Sequence, residues 1–251
     1  MPRGLQLGGL VHRVLRRPLP PPLAGTARVQ HDLGVLERAG RQHDGASCGA
    51  AVLAMVAALG DPALADWLIT GSVGAVRPPE LRDATPRQLR ALARLPIERR
   101  VAALQRVLKR RATSIAGAGM PWPGAFGTPP WGLARTARFH GVTYRHHPVD
   151  DADAGHLRQV VDRIDAAIAR GVPVPLYSGG DTSRGLTSAV PRHVVLVVGA
   201  TPRGLRIWEP GEGRCHTVSR ANLPRGEPHR ALGRWSRVVW VVLPVGHPLA
   251  S

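Results

Sequence analysis

Cysteine is scarce in this sequence, which holds only two among its 251 residues, Cys48 and Cys215. Two cysteines are too few for a disulfide framework or for a zinc site built from four cysteines. One bridge between them can still form, but reduced thiols fit a reducing compartment better. The amino terminus also lacks the uninterrupted apolar core of a signal peptide. These features together predict a cytoplasmic protein.

The sequence also lacks long apolar runs and contains very little lysine. No stretch of 18 apolar residues occurs, so no membrane span is predicted. Lys109 is the only lysine among the 34 basic residues, and the rest are arginine. The net charge of +17 would suit nucleic acid. The arginines are scattered, however, and Ala, Gly and Pro are enriched with them, as GC-rich coding would produce. No obligate nucleic-acid partner is therefore predicted.

The order of patterns along the chain predicts an α+β fold. Residues 1–26 are typical of an irregular arm that ends in PLPPPL, and residues 27–246 are predicted to form a single domain. Helices come first in that domain, and short β-rich runs come second. The helices are predicted to begin near Cys48, Pro62, Pro86, Ile97, Pro129 and His156, and the strands are GVTYRHHPV, VPVPLYS, HVVLVVGA, GLRIWEP, RCHTVS and RVVWVVLPV. A helical amino-terminal half packed on an antiparallel sheet is the expected architecture.

Within this pattern, some helix ends are marked by specific residues. Thr85 and Gln88 form a predicted capping box. The basic residues of the helix that begins at Ile97, among them Arg100, are predicted to face solvent. The helix that begins near Pro129 is predicted to end at Gly141.

Cys48 lies where a loop gives way to a helix, in the stretch QHDGASCGAAVLAM. Ser47 is the predicted N-cap, and the run AAVLAMVAAL continues to a stop at Gly60. Backbone N–H groups and the positive end of the helix dipole favour a thiolate at such a position, so Cys48 is a candidate nucleophile. Gln42, six residues earlier, could direct an amide N–H to the same oxyanion as the Cys48 N–H. The alternative for Cys48 is a small buried hydrophobic residue, which is the commoner role.

His193 heads the strand HVVLVVGA, which is otherwise apolar. An imidazole in such a place needs a hydrogen-bond partner. The turn TPRG joins this strand to GLRIWEP, so hairpin pairing should bring Glu209 close to His193. A carboxylate there would fix the tautomer of the imidazole and complete a triad of cysteine, histidine and carboxylate. Glu212, in the turn PGEG, is the rival orienting residue.

Three motifs together resemble those of the papain-like cysteine peptidases: Q-x5-C-G-x-A at 42–51, H-V-V-L-V-V-G at 193–199 and W-E-P at 208–210. They are most similar to the bacterial branch that removes double-glycine leaders from secreted peptides, and to its stand-alone relatives. The resemblance implies that Gln42 contributes to the oxyanion hole, that Cys48 is the nucleophile, and that His193 is the general base and acid. It also implies that Glu209 orients His193, although that branch usually has Asp or Asn at this position.

These residues predict a cysteine peptidase or a related thiol amidohydrolase that acts on a peptide or amide and needs no cofactor. An acyltransferase would use the same residues with another acceptor. The alternative to an enzyme is a binding protein with a catalytically idle papain-like fold, which binds peptides or anionic partners through its arginines.

Several other features are interpreted as structural. The adjacent pairs His43-Asp44 and His146-His147 lack helical spacing and an evident third ligand, so no metal site is predicted. The glycine-rich segment 178–188 lacks the Lys-Ser/Thr ending of a phosphate loop and is interpreted as a mobile loop. The residues interpreted as packing residues are Cys215 and three tryptophans that could instead line a groove, Trp122, Trp131 and Trp208.

Overall fold

The computed structural model describes residues 7–15, 17–23, 33–114, 127–180, 191–223 and 227–246. Helices and an antiparallel sheet are both present, as the sequence predicts. The chain divides into two compact units. The sheet unit comprises Met1–Arg28, Gly141–Glu209 and Cys215–Ser251, and the helical unit comprises Val29–His140 and Pro210–Arg214. The single domain over residues 27–246 stays a prediction.

The sheet unit is built on six strands in the order β1-β6-β2-β3-β4-β5. They are β1 (Val142–Pro148), β2 (Val174–Gly179), β3 (His193–Thr201), β4 (Gly204–Glu209), β5 (Arg214–Val218) and β6 (Arg237–Gly246), each close to a predicted strand. Strand β6 lies between β1 and β2 and is antiparallel to both. All of its residues except Gly246 are buried. The nearly continuous apolar run RVVWVVLPV fits such a central strand, because both of its faces are covered.

Helix α8 (Ala154–Ile168) packs on this sheet. Asp153 caps the helix, because its carboxylate accepts hydrogen bonds from the backbone N–H groups of Gly155 at 2.8 Å and His156 at 3.1 Å. The chain leaves the helix through Gly171, whose φ of +74° is a left-handed conformation that favours glycine. The apolar residues of α8 recur at helical spacing and share one core with the strands, which includes Leu157, Val160, Ile164, Ile168, Leu176, Val195, Val197 and Val241.

The amino terminus differs from the prediction. Leu7–Leu15 form helix α1, so the irregular arm predicted for residues 1–26 is wrong here. Tertiary packing explains the difference: a Cβ atom added at Gly8 would stand 2.2 Å from the carbonyl oxygen of Val239 in β6. Glycine therefore lets the helix backbone approach the sheet closely. Residues 17–23, which include PLPPPL, have neither helix nor strand, and the rest of the arm lies outside the described residues.

The helical unit contains α2 (Leu36–Ala39), α3 (Cys48–Gly60), α4 (Pro62–Thr70), α5 (Pro86–Ala93), α6 (Ile97–Thr113) and α7 (Pro130–Thr136). Helix α3 packs against α4, α6 and α7, and all of its residues are buried. A helix that is apolar all round is expected in such a position. The predicted start and stop of α3 are confirmed, as is the capping box of Thr85 and Gln88. Among the described residues no single helix is long and apolar enough to cross a membrane, and α3 and α4 meet that test only as a pair bent by 114°.

Arg100 of α6 is buried, so its predicted position on a solvated face is wrong. Its guanidinium donates to the carbonyl oxygens of Leu68 at 2.9 Å and Ile69 at 2.8 Å, close to the carboxyl end of α4. The last carbonyl groups of a helix lack partners within the helix, and an arginine can satisfy them. Arg100 therefore joins α6 to the end of α4.

Helix α7 ends at Thr136 and does not continue to Gly141 as predicted. The reason lies in Arg138, which turns inward and forms ion pairs with Glu80 at 2.7 Å and with Asp61 at 2.8 Å. Glu80 is buried, and a buried carboxylate needs a charged partner. The ion pairs thus take the chain out of the helix before the glycine is reached.

Candidate active site

Cys48 is the first residue of α3, and only 5% of its surface is exposed. The predicted N-cap, Ser47, does not cap this helix with its side chain. Its hydroxyl instead donates to the carbonyl oxygen of Asp44 at 3.0 Å and accepts from the Asp44 N–H at 3.0 Å. Ser47 therefore closes the turn before the helix, and its hydroxyl leaves the N–H groups of the first turn uncapped.

Gly49 follows the cysteine, and packing requires a glycine there. A Cβ atom at this position would lie 2.6 Å from Cβ of Thr128. Carbon atoms in contact are normally about 3.5–4.0 Å apart. The glycine therefore lets the segment at Thr128 lie directly against the start of α3.

The loop that leads into α3 is anchored by Gln105 of α6, which is fully buried. Its side-chain nitrogen donates to the carbonyl oxygens of Gly40 and Arg41, both at 3.0 Å. Its side-chain oxygen lies 2.9 Å from Nδ1 of His43. Because both ends of this buried amide have partners, Gln105 holds the loop in one conformation.

Asp44 stabilises the same loop as a carboxylate. It accepts a hydrogen bond from the Ala46 N–H at 2.8 Å and lies 3.8 Å from Nζ of Lys109. Partial burial would raise the pKa of Asp44, but the bond from Ala46, with Lys109 and His43 close by, outweighs that effect and lowers it. The exposed pair His43-Asp44 thus belongs to the loop before Cys48.

Gln42 lies in this loop, and its backbone N–H donates to the carbonyl oxygen of Pro210 at 2.9 Å. Its side-chain nitrogen donates to the carbonyl oxygen of Asp44 at 3.1 Å. Its side-chain oxygen is buried and has no hydrogen-bond partner among the described residues. A primary amide has two N–H groups, so the bond to Asp44 leaves one N–H for a ligand.

His193 and Glu209 are in direct contact within the sheet unit: Nε2 of His193 lies 2.6 Å from Oε1 of Glu209. The two side chains are only 12% and 3% exposed, respectively. Strands β3 and β4 form the predicted hairpin, in which Leu196 pairs with Trp208, and this register brings Glu209 near the start of β3. The carboxylate favours a proton on Nε2, so Nδ1 is the nitrogen that can exchange a proton with another group.

Gly233 is a site residue that sequence reasoning missed. It has a φ of +63°, and a Cβ atom there would lie 2.3 Å from Cδ2 of His193 and 2.8 Å from Nε2. Ser178, opposite His193 in the pairing of β2 and β3, donates from its hydroxyl to the carbonyl oxygen of Leu232 at 2.8 Å. Gly233 therefore lies directly against the imidazole, and the bond from Ser178 of β2 to the neighbouring Leu232 holds it there. The only signal in the sequence is the glycine of HRALG, a common ending of a short helix.

The predicted site residues thus fall in both units. His193 and Glu209 belong to the sheet unit, where the structure brings them together. Gln42 and Cys48 belong to the helical unit, in the loop and at the helix start that the sequence predicts. The catalytic roles of these four residues stay predictions.

The other sequence candidates have separate locations. Trp208 is completely buried, which confirms the core role and excludes it from the lining of an open groove. Trp131 is half-buried, and so is Cys215 in β5. Trp122 and most of the glycine-rich segment 178–188 lie outside the described residues.

A cluster of three histidines lies elsewhere in the sheet unit, formed by His12 of α1, His147 of β1 and His156 of α8. One ring nitrogen of each lies within 4.8 Å of the other two. Burial, followed by the neighbouring imidazoles, lowers the pKa of His147 to about 4. Burial, followed by His12, also lowers the pKa of His156. The sequence offers no third ligand beside the pair His146-His147, whereas the fold brings two distant histidines to His147.

Among the comparisons with known proteins, only that with solved structures gives matches, and the likeness described here is distant. No protein-family model matches the sequence, and no curated protein matches it. Among solved structures, the chain is similar to the crystal structure of a double glycine motif protease from an AMS/PCAT transporter in complex with the leader peptide. The two share 13% sequence identity with a TM-score of 0.41, over 92% of this chain and 100% of that protein.

Proposed function

We propose that this chain is a cysteine peptidase or a related thiol amidohydrolase with a papain-like fold, and that it cleaves a peptide or amide bond through an acyl-enzyme on Cys48. The observation that carries the proposal is the contact of 2.6 Å between His193 and Glu209. A buried carboxylate on one nitrogen of a histidine gives the ring a fixed tautomer and stabilises its protonated form. A general base that must hold a proton and return it needs both properties.

The position of Cys48 supports its assignment as the nucleophile. It begins a helix whose first turn is not capped by the Ser47 hydroxyl. The N–H groups of such a turn favour negative charge beside them. The Cys48 N–H and the remaining N–H of the Gln42 amide are the donors proposed for the oxyanion.

The proposed reaction uses each of these groups in turn. The Cys48 thiol gives its proton to Nδ1 of His193, and the thiolate attacks the carbonyl carbon of the substrate. When the tetrahedral intermediate collapses, the C–N bond breaks and His193 protonates the leaving amine. Water then gives a proton to His193 and attacks the thioester, which releases the acid and restores the thiol. Glu209 stabilises the imidazolium in both halves of the reaction.

A second candidate function is a catalytically idle fold that binds peptides or anionic partners. The burial of Cys48 favours this alternative, because a cysteine with 5% exposure is also what a packing residue would show. An acyltransferase differs from the hydrolase only in the acceptor of the acyl group, and the same four residues would serve it.

Alkylation with iodoacetamide, followed by mass-spectrometric mapping, separates the enzyme from the idle fold. We expect Cys48 to react faster than Cys215 in the folded protein, and His193→Ala to slow the reaction of Cys48 alone. Alkylation in denaturant is the control, since both cysteines should then react alike. Slow labelling of Cys48, with no effect of His193→Ala, would show that it is a packing residue.

Hydrolysis of a peptide library, monitored by mass spectrometry, tests the activity itself. Cys48→Ala should abolish cleavage and keep the fold, whereas Cys215→Ala should keep most of the activity. If only Cys215→Ala loses activity, Cys48 is not the nucleophile and the proposal is wrong.

A further inference from the structure

We propose that the three histidines at positions 12, 147 and 156 form a binding site for a divalent transition metal such as zinc. The site lies wholly within the sheet unit and is separate from the residues proposed for catalysis. It is independent of the proposed peptidase activity.

The first observation is the state of the ring nitrogens. Nδ1 of His12, Nε2 of His147 and Nε2 of His156 are all buried, and none has a hydrogen-bond partner in the described part of the chain. Buried polar atoms without partners are rare in folded proteins, because each loses its bonds to water. Three of them on neighbouring rings are best explained by a shared ligand.

The second observation is the geometry of the cluster. The ring centroids of His12 and His156 are 3.9 Å apart, and each is 5.4 Å from that of His147. Zinc binds histidine nitrogens at about 2.0–2.1 Å, which places nitrogens in a tetrahedral site about 3.4 Å apart. The ring nitrogens here lie within 4.8 Å of one another. Small rotations of the three side chains would therefore bring them to a common ion.

The chemistry of the donors selects the class of metal. Three imidazole nitrogens suit zinc, copper, nickel and cobalt, whereas magnesium and calcium require oxygen ligands. The Pro148 backbone forms a hydrogen bond with the His156 ring, the kind of outer contact that orients a metal ligand. Three protein ligands also leave one position of a tetrahedral zinc open to water or an anion.

Nearby charges partly offset each other. Asp150 and Asp153 lie close enough to His156 to favour positive charge there, whereas Arg17 disfavours it near His147. Asp150 is itself paired with Arg13, at 2.6 Å. The ligands must therefore supply most of the affinity through their bonds to the metal.

The location of the ligands also gives the metal a structural effect. Each ligand comes from a different element, namely α1, β1 and α8, and α1 is the element that the sequence predicts as irregular. A metal held by all three would fasten α1 to the rest of the sheet unit. Binding should therefore slow hydrogen exchange in Leu7–Leu15.

The test uses the full chain without an affinity tag, treated with EDTA and then titrated with Zn²⁺ in a calorimeter. We expect one ion per chain, a rise in Tm of roughly 5–10 °C at a hundredfold excess over Kd, and slower exchange in α1. His12→Gln should weaken binding by about 100-fold or more, since loss of an outer-shell partner alone costs 10–100-fold. The matched control is His140→Gln, an exposed histidine of the helical unit, which should bind like the wild type.

A variant that keeps a ligand guards against simple loss of folding. His12→Cys supplies a thiolate and should retain binding to within about tenfold of the wild type. The proposal is overturned if the wild type takes up no zinc, if His12→Gln binds as tightly as the wild type, or if binding leaves exchange in α1 unchanged.

Discussion

Replacing Gly233 with alanine should disable the proposed base without unfolding the protein. The new Cβ atom would lie 2.3 Å from Cδ2 of His193. Carbon atoms need about 3.5 Å, so the imidazole has to move by about 1.2 Å. The bond between Nε2 and Glu209 is 2.6 Å long, and a displacement of that size removes it or bends it beyond useful geometry.

Two effects are expected, and they can be measured separately. A misplacement of about 1 Å in an active site can lower the rate about 10²-fold. The left-handed backbone at this position, with φ of +63°, also penalises alanine by about 1–2 kcal/mol of unfolding free energy. The backbone part of the stability cost is thus modest, whereas the loss of rate is large.

Gly141→Ala is a matched control for the backbone penalty. Gly141 has nearly the same φ, +64°, but a Cβ atom there would meet nothing within 4 Å. Both variants should therefore lose this backbone contribution in urea denaturation, and Gly233→Ala should lose more because the buried Glu209 also loses its bond to His193. Only Gly233→Ala should lose peptide hydrolysis and slow the alkylation of Cys48.

Nitrogen NMR of the imidazole checks the cause directly. In the wild type we expect the proton of His193 on Nε2, and in Gly233→Ala a mixture of tautomers. The reasoning is refuted if Gly233→Ala keeps the wild-type tautomer and the activity of Gly141→Ala.

Three further substitutions, two of them with a control variant, test the site and the contacts that support it. Glu209→Gln should lower the rate of hydrolysis by about 10- to 10⁴-fold because it destabilises the imidazolium. Glu212→Gln should stay near the wild-type rate. Equal rates in the two variants would show that Glu209 takes no part in the mechanism. Gln105→Leu should cost about 2–4 kcal/mol in urea denaturation, because it leaves two carbonyl groups and a histidine of the loop without their partner; an unchanged midpoint would show that this loop is held in another way. Arg138→Met should lower the free energy of unfolding by about 3–5 kcal/mol, because it leaves a buried glutamate unpaired. Arg111→Met, which breaks an exposed ion pair, should lower it by less than about 1 kcal/mol. Similar losses in both variants would contradict the role given to burial.

The strands and α3 could be predicted because the information for them is local. Most of the strands are short apolar runs between turn residues, and α3 runs from Cys48 to a Gly-Asp-Pro stop. The contact of His193 with Glu209 could also be foreseen, because a short turn fixes the register of the hairpin. These are features in which neighbouring residues determine the structure.

The remaining features depend on contacts between distant residues. Two glycines weaken the helical pattern of α1, yet the approach of α1 to β6 requires Gly8. Arg100 belongs to a charged run, but the carbonyl groups that accept its hydrogen bonds come from another helix. Likewise, His12 and His156 have no sequence relation to His147, and only the fold brings the three rings together.

The position of β6 has a consequence for synthesis of the protein. Of the described strands it is the last in the sequence, yet it lies between β1 and β2 in the sheet. While the ribosome is still making residues before Arg237, β1 has no neighbour in the sheet, and β2 has an unpaired edge. Contacts between such distant segments form slowly, and exposed strand edges promote aggregation. Chaperone demand during translation should therefore fall once β6 has left the ribosomal exit tunnel.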